Sequence, residues 1–150
     1  MVQEILIEVD LDSLEKTSKI MGNISFTIDY HHYFPEQDWS DFVVIILSWW
    51  IKSCKGIIIS EIGRTYEFDF MDGTPIVLAK KISSDKAELS FYENSSSKVL
   101  FKAECTIKQL RDSLLSTSKK VIRAIDREKW QDDDSEELKD LVNSLEKYPL

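Results

Sequence analysis

Residues 4–9 place Ile5, Ile7 and Val9 on one side of an extended chain, because successive strand side chains point to opposite faces. A polar stretch over 10–19 follows, running to Gly22. Residues 23–31 alternate again: Ile24, Phe26, Ile28 and Tyr30 lie on one side, Ser25, Thr27 and Asp29 on the other. This is the pattern of a half-buried strand, and Phe34-Pro35 ends it. Further strands are predicted at 57–62, 65–71, 75–82, 87–92 and 98–105, joined to the first at 4–9. Asp72-Gly73 is a hairpin signal, since glycine accepts positive φ and aspartate tolerates it.

Period-3.6 patterns mark three helices. Over 40–54, Phe42, Ile45, Ile46, Trp49 and Trp50 have helical spacing, with Asp38 or Ser40 as cap and Gly56 as stop. The β-branched run Val43 to Ile46 argues for a strand, but the segment is long for one. A helix this apolar must be covered on most sides. The second helix spans 107–128, opened by Thr106 and Gln109 in a T-x-x-Q box. The third spans 134–147, started by Asp134 and Glu137. These elements predict a single α+β domain over 1–150: an antiparallel sheet of about five to seven strands, a buried central helix and two C-terminal helices.

Composition narrows the chemistry. The 150 residues carry 27 acids against 19 bases, a net charge of -8, which repels nucleic acid and anionic membrane alike. The apolar run Phe42 to Ile51 is too short to cross a bilayer, which needs about 20 residues. The N-terminus lacks the features of a signal peptide, and Cys54 and Cys105 stand alone. Both point to a reduced, cytoplasmic protein. Four scattered glycines form no phosphate loop.

Catalytic equipment is sparse. His31 and His32 are adjacent, so a strand would aim them to opposite faces, and His31 with Asp29 supplies only two ligands. No metal or other cofactor is expected. Cys54 and Cys105 read as small core hydrophobes rather than nucleophiles, and Glu67 with Asp69 as a solvated strand face. Charge is distributed unevenly: residues 1–41 carry -7, 106–130 carry +4 and 131–150 carry -5. Helix capping accounts for some of Asp132, Asp133, Asp134, Glu136 and Glu137, and the surplus predicts an exposed acidic field. Trp39 sits among Glu36, Asp38 and Asp41, either as a hydrophobic staple on the following helix or as an aromatic anchor for a partner.

The segment Phe34-Pro35-Glu36-Gln37-Asp38-Trp39-Ser40-Asp41-Phe42, running into Val43 to Trp50, resembles a stretch of small uncharacterised bacterial proteins. Trp130-Gln131-Asp132-Asp133-Asp134 before an amphipathic helix is similar. Size, acidity and the lack of catalytic residues resemble immunity proteins of bacterial polymorphic toxin systems. That resemblance implies a non-catalytic domain that binds a basic protein partner, a toxin. The acid surplus and the setting of Trp39 make Trp39, Glu36, Asp38, Asp41, Asp132, Asp133, Asp134, Glu136 and Glu137 the expected contact residues. The alternatives are a small enzyme or ligand-binding domain with a pocket near His31 and His32, and a homodimer paired through a sheet edge.

Overall fold

Helix α1 (Val43–Ile59) is apolar around almost its whole circumference, and the rest of the chain is arranged to cover it. The computed structural model describes residues 2–94 and 98–148. Before α1 come β1 (Ile5–Lys16), β2 (Ile20–Ile28), β3 (His32–Phe34) and β4 (Ser40–Asp41). After it come β5 (Thr65–Asp69), β6 (Ile76–Lys81), β7 (Lys86–Tyr92), β8 (Phe101–Thr106), α2 (Ile107–Glu128) and α3 (Asp133–Glu146). The fold is α+β, with the central helix buried and two helices at the C-terminal end.

The expected strands divide into two antiparallel four-stranded sheets instead of one. In the first, β2 pairs with β1, β3 and β4; the second runs β5-β6-β7-β8. The division falls where α1 interrupts the chain. The inner faces meet through aromatic rings: Phe26 of β2 lies 6.3 Å from Phe68 and 5.8 Å from Phe91, and Phe34 of β3 lies 5.0 Å from Phe91. Trp50 of α1 fills the remaining space, 4.9 Å from Phe26 and 5.2 Å from Phe70.

Both sheets have edges closed by helical side chains. On β1, the Ile7 N–H donates to Ser113 Oγ at 2.7 Å, and Thr117 Oγ1 donates to the Ile7 carbonyl at 2.6 Å, both from α2. On β5, Ser53 Oγ of α1 donates to the Glu67 carbonyl at 2.6 Å, and Trp50 Nε1 donates to that of Asp69 at 2.8 Å. The β8 edge receives the Gln3 N–H on Glu104 O at 2.7 Å. These are groups through which a second copy would extend the sheets.

Several expectations need correction. Residues 57–62 are not a strand: α1 continues to Ile59, and Gly56 lies inside it rather than ending it. A β-branched run favours a strand locally, but Ile57 is buried in the core and tertiary packing prevails. Neither Asp38 nor Ser40 caps α1; the cap position is Phe42, without a side-chain cap bond. The strand expected to end at Val9 runs on to Lys16, with a shift of register between Asp10 and Glu15. β2 stops at Ile28 because Asp29 and Tyr30 turn with positive φ (51° and 69°). β3 is a separate strand where the second strand is expected to run out, and β4 takes the residues expected to open the first helix. Thr106 does cap α2, accepting from the Gln109 N–H at 3.0 Å. Among the described residues, no helix is long and apolar enough to cross a membrane.

The C-terminus of α1 is held by a cation from another element. Lys81 of β6 is 7% exposed, and its Nζ donates to the carbonyls of Ile58 at 3.1 Å and Ser60 at 2.9 Å. A positive charge there complements the helix dipole and satisfies orphan carbonyls. Lys81→Met is expected to cost about 2–4 kcal/mol, read as a lower urea midpoint with unchanged slope. Gly56 serves close approach, since a Cβ there would lie 2.4 Å from the Tyr66 ring. Gly→Ala inside a helix ordinarily stabilises by about 0.5–1 kcal/mol. Here overpacking reverses the sign, and Gly56→Ala should destabilise by about 1–3 kcal/mol in the same measurement.

Candidate functional site

The acids at the start of α3 are drawn into the fold. Asp132 is its cap: the carboxylate accepts from the Ser135 N–H at 2.8 Å, and Ser135 Oγ accepts from the Asp132 N–H at 2.9 Å. Asp132 also faces Lys16 at 3.8 Å, Asp134 pairs with Lys19 at 2.9 Å, Glu137 with Lys52 at 3.0 Å and Glu136 with Lys139 at 3.5 Å. The Asp134 hydrogen bond raises the Lys19 pKa. Exposed Asp133 forms no ion pair among the described residues. The five consecutive-looking acids are thus largely matched by lysines from β1, the β1–β2 turn, α1 and α3 itself. They fasten α3 rather than forming a bare field, although such surface pairs contribute only about 0–1 kcal/mol each.

Asp41 is also internal. It is 6% exposed and accepts from Trp39 Nε1 at 3.0 Å, the Phe42 N–H at 2.8 Å and the Met71 N–H at 3.3 Å. It joins β4, the start of α1 and the turn after β5, and its burial removes it from any partner-facing surface. Trp39 is half-buried, its ring edge-on to Phe70 at 6.0 Å. Trp39 thus packs against the core, with Phe70 as its aromatic neighbour.

Glu36 and Asp38 remain exposed, and they flank Gln37 at the rim of a cleft. The register of the first sheet builds the cleft floor: Glu8 sits opposite Ser25 and Asp10 opposite Asn23, all four on the face turned away from the core. Tyr33 of β3 and Gln37 form one wall, and Thr117 and Lys120 of α2 the other, around about 360 Å³. Glu8 Oε2 accepts from Thr27 Oγ1 at 3.0 Å and Asp10 Oδ1 from the Asp12 N–H at 3.1 Å. Neither carboxylate, nor Glu36 or Asp38, forms an ion pair among the described residues. Glu8 and Asp10 are β1 residues that the sequence pattern did not single out.

No protein-family model, curated protein or solved structure matches the chain.

The groups weighed for catalysis are dispersed. His31 and His32 are both exposed, the first with Nδ1 2.6 Å from the Asp29 carbonyl, the second stacked on Phe101 at 4.4 Å. The Asp29 carboxylate instead takes Gln3 Nε2 and the Glu4 N–H. Neither histidine lines the cleft beside Tyr33. Among the described residues, no three of histidine, cysteine, aspartate and glutamate are grouped to hold a metal. Asp69 has its pKa raised, by burial first and then by the Glu67 carboxylate. Cys54 and Cys105 are free and buried, and burial pushes both thiols up to about 12. At pH 8 both stay in the unreactive thiol form. Native protein should therefore leave both unmodified by iodoacetamide over hours at pH 8, with two labels per chain by mass spectrometry once urea unfolds it.

Proposed function

We propose that this protein is a non-catalytic binding domain whose acidic cleft face engages a basic protein partner. The observation that carries the reading is that Glu8 and Asp10 line one cleft, with Glu36 and Asp38 on either side of its lining residue Gln37, and that none of the four forms an ion pair among the described residues. The acids of α3 are neighbours of lysines, so their field beyond a Debye length is weak. The cleft acids have no such compensation apart from Lys120 across the opening. The resemblance to immunity proteins supplies a specific form: the partner is a toxin whose basic surface this face covers. Two free, buried cysteines fit a cytoplasmic site of action.

A second reading, a small-ligand domain, is favoured by the size of the same cleft. About 360 Å³ falls in the range of small-molecule sites. The pocket of that reading lies at Tyr33 rather than at His31 and His32. Its lining is rich in carboxylates and amides, which suits a cationic or polar group more than an apolar one.

The test begins with affinity capture of the partner from native cells, followed by association kinetics on purified components. Asp10→Asn with Glu36→Gln and Asp38→Asn is expected to slow association about tenfold at low salt, with dissociation nearly unchanged. The deficit should shrink as salt rises. Asp133→Asn with Glu136→Gln on α3 should change the rate less than twofold. Equal association by the cleft variant and the parent protein overturns the reading. A saturating small ligand in the cleft, with no protein captured, favours the second.

A further inference from the structure

We propose that the partner enters the cleft with an extended basic segment of its chain, laid along the β1 edge beside α2. The inference rests on the acidic-cleft reading and adds the backbone conformation of what the cleft receives. Alternate residues of an edge strand turn their N–H and C=O outward. On β1 that outward set includes Ile7, whose N–H and C=O both go to Ser113 and Thr117 of α2. Val9 is next in the set. Its ladder neighbour Ile24 agrees, because the Ile24 N–H goes to the Trp39 carbonyl on the far side of β2. Val9 therefore points its N–H and C=O away from β2, and neither has a backbone or side-chain partner among the described residues.

The space beside this edge is elongated. Val9 and Leu11 line the cleft, and Leu11 also lines a second opening of about 260 Å³ between Leu14 of β1 and Ala124 of α2. Thr117, Lys120, Ala124 and Arg127 border the two openings at spacings of three and four, one face of α2. The openings thus follow β1 as one groove. Ser113 and Thr117 bound it at Ile7, and Lys16, whose Nζ donates to the Trp130 carbonyl at 3.1 Å, bounds it at the other end.

Two observations select the occupant. A donor and an acceptor on one residue of an edge are what an added strand pairs with, whereas a helix bonds its own backbone and leaves Val9 unpaired. Glu8 and Asp10 flank Val9 in the chain, lie on the outer face and form no ion pair among the described residues. Opposite charges across a strand pair attract, so basic side chains two residues apart on the incoming segment match them. Leu11, 37% exposed, offers an apolar contact farther along the same edge.

The probe is a blocked hexapeptide alternating lysine with threonine, titrated into the full chain and followed by ¹H–¹⁵N NMR. Saturable shifts are expected at the Val9 and Leu11 amides, with hydrogen exchange of the Val9 amide slowed about tenfold in the complex. The same peptide N-methylated at its central residues keeps its charge and loses those donors, and should bind about tenfold more weakly. Asp10→Asn, an exposed change, should weaken the unmodified peptide about threefold at low salt. If Asp10→Asn weakens binding while the N-methylated peptide binds equally well, or Val9 exchange is unchanged, the extended segment is overturned and the acidic-cleft reading stands. If Val9 is protected but Asp10→Asn has no effect, the basic occupant is overturned together with the cleft reading. Absence of saturable peptide binding overturns the inference alone, since the partner's association rates test the cleft separately. Val9 protection that grows with the concentration of the chain by itself assigns the edge to a second copy and overturns the basic partner segment.

Discussion

A helix that is apolar around almost its whole circumference cannot lie on a surface; it has to be enclosed on most sides. That constraint, set by Val43, Val44, Ile46, Leu47, Trp50, Ile51, Cys54 and Ile57, all buried, organises the remainder of the chain. A single sheet covers only one side of a helix. Two sheets meeting along their aromatic inner faces, with α2 and α3 closing the other side, cover it nearly completely. Trp50 makes the arrangement specific. Its ring touches aromatics from both sheets, while its indole N–H satisfies a carbonyl on the β5 edge. One side chain thus joins apolar packing to backbone hydrogen bonding, and fixes the helix against both sheets at once.

Enclosure creates a second problem, which the polar residues of the helices solve. Edge strands pressed against helices leave backbone N–H and C=O groups facing a surface with no free donors or acceptors of its own backbone. Ser53 and Trp50 on α1, and Ser113 and Thr117 on α2, supply the missing partners. Lys81 does the same for the end of α1. Apart from Trp50, each of these residues looks like an interruption of an apolar pattern when read along the chain. In space each stands opposite an otherwise unsatisfied group. Ser48 of α1 and Ser118 of α2 are exceptions: their buried hydroxyls meet no such group among the described residues.

Local periodicity was enough to find the α+β class, the three helices and most strands, because those signals reside within a dozen consecutive residues. It failed wherever a distant residue decides. The β-branched turn at 57–59 stays helical because Ile57 is buried and Lys81, more than twenty positions away, caps the carbonyls. The polar residues of β1 beyond Val9 are a strand because β2 pairs with them, not because of any pattern of their own. Sheet number was equally hidden: nothing in a strand's sequence states which other strands it joins. Trp39 and Asp41 illustrate the same limit at the candidate site. Their composition is that of an exposed hot spot, but Phe70 and the Met71 N–H, some thirty positions on, draw both inward.

Charge shows the limit most clearly. Counted along the chain, Asp132 to Glu137 is the densest acidic run, and density in sequence suggests field in space. Yet helix geometry spreads such a run over more than one side of α3, where different acids meet different lysines. A strand does the opposite. Glu8 and Asp10, two residues apart on β1, are kept on the same face by the pleat, and the antiparallel register sets uncharged Ser25 and Asn23 opposite them. The two strand acids thus face neutral neighbours across the ladder, with Lys120 the cation lining their cleft, whereas four of the five helix acids each meet a lysine directly. The loop bearing Glu36 and Asp38 adds to it because β3 and β4 both pair with β2 and return that loop to the same sheet. What a partner would meet is determined by which acids lack a cation within reach, a property of the fold that a count of charges cannot express.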